Sequence, residues 1–454
     1  MTWDRRRDPL AVAAVALMAR MAVVAWAHDR FPAVADGHYY DVLARRLASG
    51  AGYTWLWDDG AVTYAAHYPV GYPAMLALAY VVLGATGAVA MTVNALLGAA
   101  AAFGAHRIVD DEGCARWRPM AAGLAVAIHP ALVPYTAALM TEGVTAALLV
   151  IAAALAVRAR AMPARWGRLG AVGVVLGMAT LVRPQSLLLA PVLGALCVAP
   201  EIAWRQRLVR AFAVTAVAFA CVAPWTARNC VRMHRCATVS VNGGWNLLIG
   251  AQTVTGGWDP LDVPAECATV WDEAGKDACF EQAAKRTIGA DPGAWLARVP
   301  AKLGVTFDYF GAAPWYLHES NAGAFDEAAK VRLAKIEIAV CRLLLIGALF
   351  ACGIATGPRA LARRVVALGG VLAAVTVHAW PGYLALVVVV GLLGPRVWAR
   401  APLAVPCGAA IVALTLLVHA VFFGSGRYGL VVAPFVAAMA FTAFATAPDR
   451  SPRS

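Results

Sequence analysis

The 454-residue chain contains little charge. Asp, Glu, Lys and Arg make up 14% of it, whereas the hydrophobic residues AVILMFWYC make up 61%. Soluble domains are about one quarter charged and about 45–50% apolar, so this composition excludes a soluble enzyme or a disordered chain. The chain also lacks a polar linker that would divide it into soluble domains. Its apolar runs of about 15–22 residues match a hydrocarbon core of about 30 Å. We therefore predict an all-α polytopic membrane protein.

Metal-binding and nucleic-acid-binding patterns are also missing. The ten cysteines include no CxxC spacing, and no HExxH motif occurs, so a structural zinc site is not expected. The 38 Lys and Arg residues exceed the 26 Asp and Glu residues by twelve, but they lie scattered between apolar runs. Nucleic-acid binding would need them gathered in one patch, so it is not expected. No cofactor is indicated, and a divalent cation is left open.

The first apolar run follows a basic segment at the N-terminus. Ala25-Trp26-Ala27 fits the small-x-small pattern of a signal-peptide cleavage site. Arg20 interrupts the apolar run, however, and such matches are common in an Ala-rich chain. We interpret the run as an uncleaved first span. Arg20 then either lines the protein interior or extends outward to the membrane surface.

The arginine distribution sorts the apolar runs into spans. If all candidate runs cross the membrane, arginine-bearing connections fall on both sides, against the positive-inside rule. If residues 71–86 instead form an interfacial helix on the outer face, about twelve crossings remain, with both termini cytoplasmic. The candidate runs are 10–27, 71–86, 88–106, 119–137, 141–157, 169–183, 185–199, 209–225, 337–357, 364–379, 381–395, 403–420 and 428–446. The arginines then placed inside are Arg5–Arg7, Arg107, Arg116, Arg118, Arg158, Arg160, Arg165, Arg168, Arg205, Arg207, Arg210, Arg359, Arg363, Arg364, Arg396, Arg400, Arg450 and Arg453.

This topology divides the chain into three regions. Residues 1–225 form an N-terminal transmembrane catalytic module with a first outer loop at 28–87, residues 226–335 an outer-face subdomain, and residues 336–454 the C-terminal transmembrane helices. Five tryptophans between 245 and 316 indicate that the subdomain is ordered. Its four cysteines would pair as Cys230–Cys236 and Cys267–Cys279 if that face is oxidising; otherwise they remain free thiols.

Two acidic residues fall on the predicted outer face. Asp36 lies in "ADGHYYDVLARRLASGAGY", and it either caps an interfacial helix or acts in chemistry. Glu142 lies at the outer end of a span, where it either stabilises a helix N-terminus through the helix dipole or has a functional role. Because charge beside a membrane is costly, each is a functional candidate. Together they are candidates for an acid/base or metal-binding pair.

Two arginines fall on the predicted outer face, against the positive-inside rule. Arg183 in "LVRPQS" lies at the outer tip of a short hairpin, and Arg427 in "SGRYGLVVAP" opens the last span on the outer side. Arginine suits bidentate phosphate binding, so these two are candidates to hold a lipid phosphate. The alternative is that both side chains simply extend to the lipid headgroups.

A set of motifs in fixed order resembles the lipid-linked-sugar glycosyltransferases of superfamily C. The resemblance is to the branch that contains protein O-mannosyltransferase-like proteins and the aminoarabinose transferase of lipid A. The motifs are "ADGHYYDVLARRLASGAGYT", "YPVGYPAMLALAYVVLG", "ALMTEGVTAALLV", "LVRPQSLLLAP", "APWTARNCVRMHRCATVSVNGGWNLLIGAQ" and "GRYGLVVAP". The segment "PWTxRN…S.NGGxNLxIG" is the most specific, since hydropathy does not demand it. The chain ends soon after its last predicted span, so closeness to the aminoarabinose transferase, which has a further soluble domain, is not expected.

The resemblance implies an integral membrane glycosyltransferase. Such an enzyme takes a sugar from a polyprenyl-phosphate donor and passes it to a lipid, glycan or protein acceptor on the outer face. The family's loop-one aspartate falls on Asp36, the implied general base, and its second acidic position falls on Glu142. The family's lysine in a "KPPLYYW"-like segment has no counterpart here, and His67 or Tyr68 occupies that neighbourhood. The resemblance further implies inversion at the sugar if a single displacement occurs.

The implied substrate-binding residues extend along the chain. Arg427 and Arg183 would stabilise the phosphate that leaves the sugar. Asn242, Trp245 and Asn246 would shape the cover of the cavity, with Gly243–Gly244 permitting a tight turn. The full implied set is Tyr39, Tyr40, His67, Tyr68, Arg183, Asn242, Trp245, Asn246, Arg427 and Tyr428.

Other functions remain open at this point. A transporter or flippase of lipid-linked sugars would favour internal repeats and charges at the membrane midplane, and neither is visible. A glycan polymerase or ligase would also use outer arginines, and a non-catalytic assembly subunit would not need Asp36. The predicted location is the inner (plasma) membrane, with the site facing the outside or periplasm.

Overall fold

The computed structural model describes residues 7–110, 114–162, 165–198, 203–308, 311–394, 397–398, 401–442 and 444. Six arginines of the predicted inner clusters, Arg5, Arg6, Arg396, Arg400, Arg450 and Arg453, lie outside these residues. The described chain is helical apart from one short β-hairpin, in which Thr54–Leu56 (β1) pairs antiparallel with Val62–Tyr64 (β2).

The N-terminal region consists of nine helices in the described ranges. They are α1 (Asp8–Ala27), α2 (Asp36–Ala48), α3 (Gly71–Leu83), α4 (Gly87–Val109), α5 (Trp117–Ala127), α6 (Thr141–Ala161), α7 (Trp166–Val182), α8 (Ala190–Leu196) and α9 (Trp204–Arg232). Two 3-10 turns, Pro134–Ala137 and Pro184–Leu189, precede α6 and α8. Helix α4 packs against α1 and α6, and α7 packs against α6 and α9.

The region predicted to form an outer-face subdomain and the C-terminal region follow. The subdomain contains α10 (Gly243–Gln252), α11 (Ala265–Ala268), α12 (Glu273–Ala290), α13 (Pro292–Ala297), α14 (Val299–Phe307) and α15 (Ala312–Ser320). The C-terminal region contains α16 (Glu327–Gly353), α17 (Ala360–Thr376), α18 (Trp380–Leu393), α19 (Ala404–Val421), a 3-10 turn at Gly426–Val431 and α20 (Ala433–Ala440). Helix α9 extends past residue 225 and α16 begins before residue 336, so two helices cross the predicted domain boundaries.

The predicted all-α polytopic membrane fold is confirmed. Among the described helices six, namely α1, α4, α6, α9, α16 and α19, are long and apolar enough to cross a membrane. Helices α3, α7 and α18 and the Pro184–Leu196 stretch are shorter apolar segments. Every one of the thirteen apolar runs contains helix. The number of crossings and the side on which each connection lies stay predictions.

Prolines shorten some of the predicted spans. Helix α5 ends at Ala127, and the run 119–137 continues as a turn because Pro130 and Pro134 supply no backbone N–H for a longer helix. The run 185–199 similarly starts as a 3-10 turn at Pro184 and becomes α-helical only from Ala190. These interruptions place irregular backbone directly beside α6 and α7.

Small residues bring the long helices close together, as their Gly and Ala content suggests. A Cβ atom added at Gly104 of α4 would lie 2.7 Å from Val150 Cγ1 of α6. One added at Gly177 of α7 would lie 2.6 Å from Cys221 Cβ of α9. Larger residues at these positions would force the helices apart.

Arg20 lines the interior. Its side chain is 2% exposed, and its guanidinium donates to the carbonyls of Ala16, Ala127 and Val126 at 3.2, 3.0 and 3.2 Å. Two of these carbonyls belong to the last turn of α5, where helix carbonyls lack partners of their own. Arg20 therefore closes the end of α5, and the alternative that it extends to the membrane surface is wrong.

Both cysteine pairs of the subdomain form disulfides. Cys230 is bonded to Cys236, and Cys267 to Cys279. The second bond lies in a small core with Leu248, Phe280 and Ala284. The free-thiol alternative is therefore wrong for these four residues.

Candidate active site

Four charged side chains from distant parts of the chain meet at one place. Asp36 begins α2, Glu142 lies in the first turn of α6, Arg183 follows the end of α7, and Arg427 lies in the 3-10 turn before α20. Asp36 Oδ2 accepts a hydrogen bond from Arg427 Nη1 at 2.6 Å. Glu142 Oε1 lies 3.5 Å from Arg427 Nε and 3.5 Å from Arg183 Nη1. We call these four residues the ion-pair cluster.

The geometry decides between the alternatives for these residues. The residue that precedes α2 is Ala35, and the Asp36 side chain makes no capping hydrogen bond, so the capping interpretation is wrong. The side chains of Arg183 and Arg427 are 13% and 23% exposed and lie against carboxylates, so extension to lipid headgroups is wrong as well. Glu142 does lie in the first turn of α6, so the helix dipole and the cluster both stabilise its charge.

Asp36 is held in its charged form. Burial of the carboxyl raises its pKa, but the charge of Arg427 and its hydrogen bond outweigh burial, and the pKa falls below the usual value. Asp36 is therefore ionised at neutral pH. Tyr68 adds a further hydrogen bond, its hydroxyl donating to Asp36 Oδ1 at 3.3 Å.

Glu142 is more deeply buried than Asp36. It is 1% exposed, and Tyr135 donates its hydroxyl to Glu142 Oε2 at 2.8 Å. With two carboxylates and two guanidiniums, the formal charges of the cluster cancel. A buried charge is tolerable when it is paired and hydrogen-bonded in this way.

Aromatic residues of the first outer loop surround Asp36. The ring of Tyr39 stacks on that of Tyr68 at 5.0 Å, and the rings of Tyr40 and His67 lie 5.2 and 5.0 Å from that of Tyr68. Burial lowers the pKa of His67, so this imidazole is neutral at pH 7. Four substrate-binding candidates therefore lie together beside the cluster.

Tyr428 lies against both arginines. The guanidinium carbons of Arg183 and Arg427 lie 4.8 and 5.1 Å from the centre of its ring, within the range of cation–π contacts. The Tyr428 hydroxyl also accepts a 3.3 Å hydrogen bond from Arg427, and the ring stacks on that of His419 at 4.4 Å. The ring thereby fixes the positions of the two cations.

One aromatic side chain of the glycine-rich segment packs against the predicted first outer loop. Trp245 packs on His67 at 5.6 Å and on Phe280 at 5.0 Å. Among the described residues, no side-chain hydrogen bond joins Asn242 or Asn246 to the cluster, although Ser240 donates to Asn242. The structure thus brings Trp245 near the site and does not bring the two asparagines into it.

The expected role of Gly243–Gly244 in a tight turn is wrong. Both residues lie in the first turn of α10. A Cβ atom at Gly244 would lie 2.0 Å from the carbonyl oxygen of Asp277 in α12, so this glycine permits close helix packing. The carboxylate of Asp277 also accepts the backbone N–H of Trp245 at 3.0 Å.

Sequence reasoning missed several residues at the site. Tyr135 and Met140 come from the turn before α6, and Met140 Sδ lies 3.7 Å from Arg427 Nη1. The hydroxyl of Tyr316 accepts the backbone N–H groups of Val34 and Leu139. Tyr135 lies seven residues before Glu142, a proximity that could have indicated it, whereas no sequence signal indicated Tyr316.

Two cavities adjoin the cluster. One has a volume of about 20 Å³ and combines Arg183 with polar and aliphatic side chains. Its lining includes Thr145, Gln185, Ser186 and His419 together with Leu149, Leu189, Ile411, Leu414 and Val418. The other, of about 30 Å³, is lined by Arg20, Asn94, Tyr135 and Met140 among others. A cation beside aliphatic side chains suits an amphipathic anion.

Within the described ranges, no group of three or more His, Cys, Asp or Glu side chains could hold a metal ion. The space between the two carboxylates is taken by Arg427, which contacts both. A guanidinium therefore supplies positive charge where a bridging cation would have to lie.

Comparisons with known proteins gave structural matches only. No protein-family model matches the chain, and no curated protein sequence matches it. Archaeal oligosaccharyltransferase AglB from Archaeoglobus fulgidus, solved with an inhibitory peptide and a dolichol-phosphate, is similar over 97% of this chain and 50% of its own, with 14% identity and a TM-score of 0.46. The chain spans about half the length of that protein.

A second match is ArnT from Cupriavidus metallidurans, solved bound to undecaprenyl phosphate. It is similar over 95% of this chain and 77% of its own, with 15% identity and a TM-score of 0.41. An Archaeoglobus fulgidus oligosaccharyltransferase tethered to an acceptor peptide matches with 11% identity and a TM-score of 0.49. Because these TM-scores are below 0.5, the proposals below rest on the geometry of this chain.

Proposed function

We propose that this protein is a membrane glycosyltransferase that moves a sugar from a polyprenyl-phosphate donor to an acceptor at the outer face of the membrane. The observation that carries this proposal is the ion-pair cluster, in which the Asp36 carboxylate lies against Arg427, and Glu142 holds Arg427 and Arg183 together. A base and a phosphate clamp are the two groups that such a transfer needs. The acceptor is a lipid, glycan or protein hydroxyl or amine.

The reaction is a single displacement at the anomeric carbon. The acceptor oxygen or nitrogen forms a bond to that carbon, and its proton passes to the Asp36 carboxylate. The bond between the carbon and the phosphate oxygen breaks, and its electron pair stays on the phosphate. The sugar configuration is inverted. Asp36 suits the role of base because it is ionised at neutral pH.

The leaving phosphate gains a negative charge as the bond breaks. Arg427 and Arg183 both contact the Tyr428 ring, and their guanidinium N–H groups would bind that charge. Clamps aimed at developing charge lower a reaction barrier, and removing one contact typically costs about 10²–10³ in rate. Glu142, held by Tyr135, orients both arginines.

The donor lipid would place its phosphate against the Arg183 guanidinium and the first part of its chain along Leu149, Leu189 and Ile411. The cavity among these residues is small, about 20 Å³, so it would have to widen when the donor binds. This arrangement of one cation and an aliphatic lining is what an anionic lipid requires. A divalent cation could also assist the phosphate, and removal of divalent cations with a chelator tests that role.

The orientation of the site is part of the proposal. The site faces the outside or periplasm of the inner membrane, as the arginine distribution predicts. Cysteine placed at the exposed Asp58, next to the β-hairpin, should react with a membrane-impermeant maleimide in intact cells. The native Cys114, in the connection between α4 and α5 and outside the disulfides, should react only after permeabilisation. The reverse pattern would contradict the orientation.

An Asp36→Asn variant tests the function. Lipid-linked sugars and cell-envelope glycans are measured by mass spectrometry in cells that lack the protein, carry the native protein or carry the variant. We expect the variant to match the cells without the protein. Asp41→Asn is the control, since Asp41 lies in the same helix and pairs with Arg45 at 2.7 Å instead of with the cluster. Glycans that stay unchanged in the absence of the protein would refute a transferase and favour a transporter or an assembly subunit.

A further inference from the structure

Residues 65–68 carry two site side chains but belong to no helix or strand. They connect β2 to α3, and they include His67 and Tyr68. An irregular segment owes its position to the partners of its backbone groups, since buried N–H and C=O groups must be hydrogen-bonded. In this segment most of the recorded partners come from residues beyond 220, far along the chain.

Glu273 is the main partner. It is the first residue of α12, and its Oε2 accepts the backbone N–H groups of Ala66 at 2.6 Å and His67 at 2.8 Å. One carboxylate oxygen thus binds two successive amides of the first outer loop. Hydrogen bonds to a charged acceptor are about twice as strong as neutral ones.

The neighbouring carbonyls are bound from the same side. Arg228 at the end of α9 donates to the carbonyls of Ala65 and Tyr53, each at 2.9 Å. The carbonyl of Ala66 accepts the backbone N–H of Val241 at 2.9 Å. These bonds attach the segment to α9 and to the glycine-rich region before α10.

The attached segment leads directly to the proposed base. The Tyr68 carbonyl accepts a 2.7 Å hydrogen bond from the Tyr53 hydroxyl, and the Tyr68 hydroxyl donates to Asp36. Movement of Ala66 and His67 would therefore displace the Tyr68 hydroxyl. A displacement of about 1 Å in a group that orients a reacting atom can cost about 100-fold in rate.

We infer that Glu273 is a positioning residue of the outer-face subdomain, which places Tyr68 against Asp36 by holding the backbone of Ala66 and His67. This inference rests on the proposed function, in which Asp36 is the base. It assigns to the subdomain a part in the chemistry of the first outer loop, beyond covering a cavity.

The test compares three variants for transfer to the cell-envelope glycan by the full-length protein. Glu273→Ala removes both hydrogen bonds, and we expect a loss of about 10–100-fold in rate. Glu273→Gln keeps an amide oxygen that can accept both N–H groups, and it should retain most of the activity. Glu281→Ala is the control, because Glu281 lies in the same helix and pairs with Arg235 and Lys285 instead of with the first outer loop. Equal losses in Glu273→Ala and Glu281→Ala would overturn the inference.

A double-mutant cycle separates positioning from a general loss of structure. If Glu273 acts through Tyr68, the double variant Glu273→Ala/Tyr68→Phe should be no slower than the slower single variant. A double variant whose loss of rate is the product of the two single losses would overturn the inference. Each rate is divided by the amount of folded protein in the membrane, which is measured as the protein that stays soluble in detergent before and after heating.

The outcome for Asp36→Asn distinguishes the two claims. An inactive Asp36→Asn variant with a fully active Glu273→Ala variant overturns the inference and leaves the proposed function standing. A fully active Asp36→Asn variant overturns both.

Discussion

Replacement of Arg427 by alanine is the most informative perturbation of the cluster. Arg427 contacts Asp36 at 2.6 Å and Glu142 at 3.5 Å, so its loss leaves Asp36 without an ion-pair partner among the described residues. Glu142 keeps Arg183 and the Tyr135 hydroxyl. Removing one partner of a buried ion pair typically lowers the free energy of unfolding by about 3–5 kcal/mol. Because Asp36 is partly exposed, we expect a loss of stability near the lower figure.

The variant should also change the pH dependence of transfer. In the native protein the charge of Arg427 outweighs burial and lowers the pKa of Asp36. Without Arg427, burial is opposed only by the charge of His67 and the Tyr68 hydrogen bond, so the pKa of Asp36 should rise. A base must be deprotonated, so the acidic limb of the rate profile should move to higher pH in the variant. The rate at neutral pH should fall about 10²–10³-fold, because the leaving phosphate also loses a contact.

Sugar transfer by the full-length protein in lipid nanodiscs, measured from pH 4 to 8, checks both effects. Arg46→Ala is the control: Arg46 lies in α2 and donates to Thr54 at 2.9 Å, outside the cluster. It should leave the acidic limb in place. An Arg427→Ala variant with a native acidic limb and a rate within a factor of about three would refute the assignment of Arg427 and Asp36 to one reacting unit.

Three further predictions concern the surroundings of the site. Gly244→Ala should lower the melting temperature of the protein in detergent, because the added Cβ would lie 2.0 Å from the Asp277 carbonyl oxygen; an unchanged melting temperature would contradict the packing. The Cys230–Cys236 disulfide begins two residues after Arg228, which holds the Ala65 carbonyl, so its reduction should lower the transfer rate in the nanodisc assay. Full activity after reduction confirmed by mass would contradict a link between this disulfide and the site. Arg20→Met should destabilise the protein by about 1–3 kcal/mol, because three carbonyls lose a donor, while the transfer rate per folded molecule stays native. A native stability with lost transfer would instead place Arg20 in the site.

The sequence predicts the fold class, and it also singles out the four charged residues that meet in the ion-pair cluster. Long apolar runs indicate helices because few other structures satisfy backbone polar groups in lipid. Asp36, Glu142, Arg183 and Arg427 stand out because charge is scarce and costly in such a chain. That they form one cluster could not be predicted, since it depends on how α2, α6, α7 and the 3-10 turn before α20 pack.

Other features of the site leave no local signal. Tyr316 reaches the site from α15, about 280 residues beyond Asp36, and its contacts to Val34 and Leu139 are with backbone groups that any residue carries. Glu273 also binds backbone N–H groups only. The role of Gly244 was misassigned because a glycine that permits close packing and one that permits a turn look the same in sequence.

Connectivity explains why the four charges meet where they do. Helices α6 and α7 are packed neighbours in an antiparallel hairpin, so the start of α6 and the end of α7 lie at the same level, with Glu142 on one and Arg183 just beyond the other. The helix dipole stabilises an anion at the first position and a cation at the second, so both charges suit their places before they contact each other. Asp36 begins α2 and Arg427 lies in the 3-10 turn before α20, and their pairing joins the predicted first outer loop to the C-terminal region. Each charge is thus held by a helix end or a partner from another region, and loss of any one would disturb segments far apart in the chain.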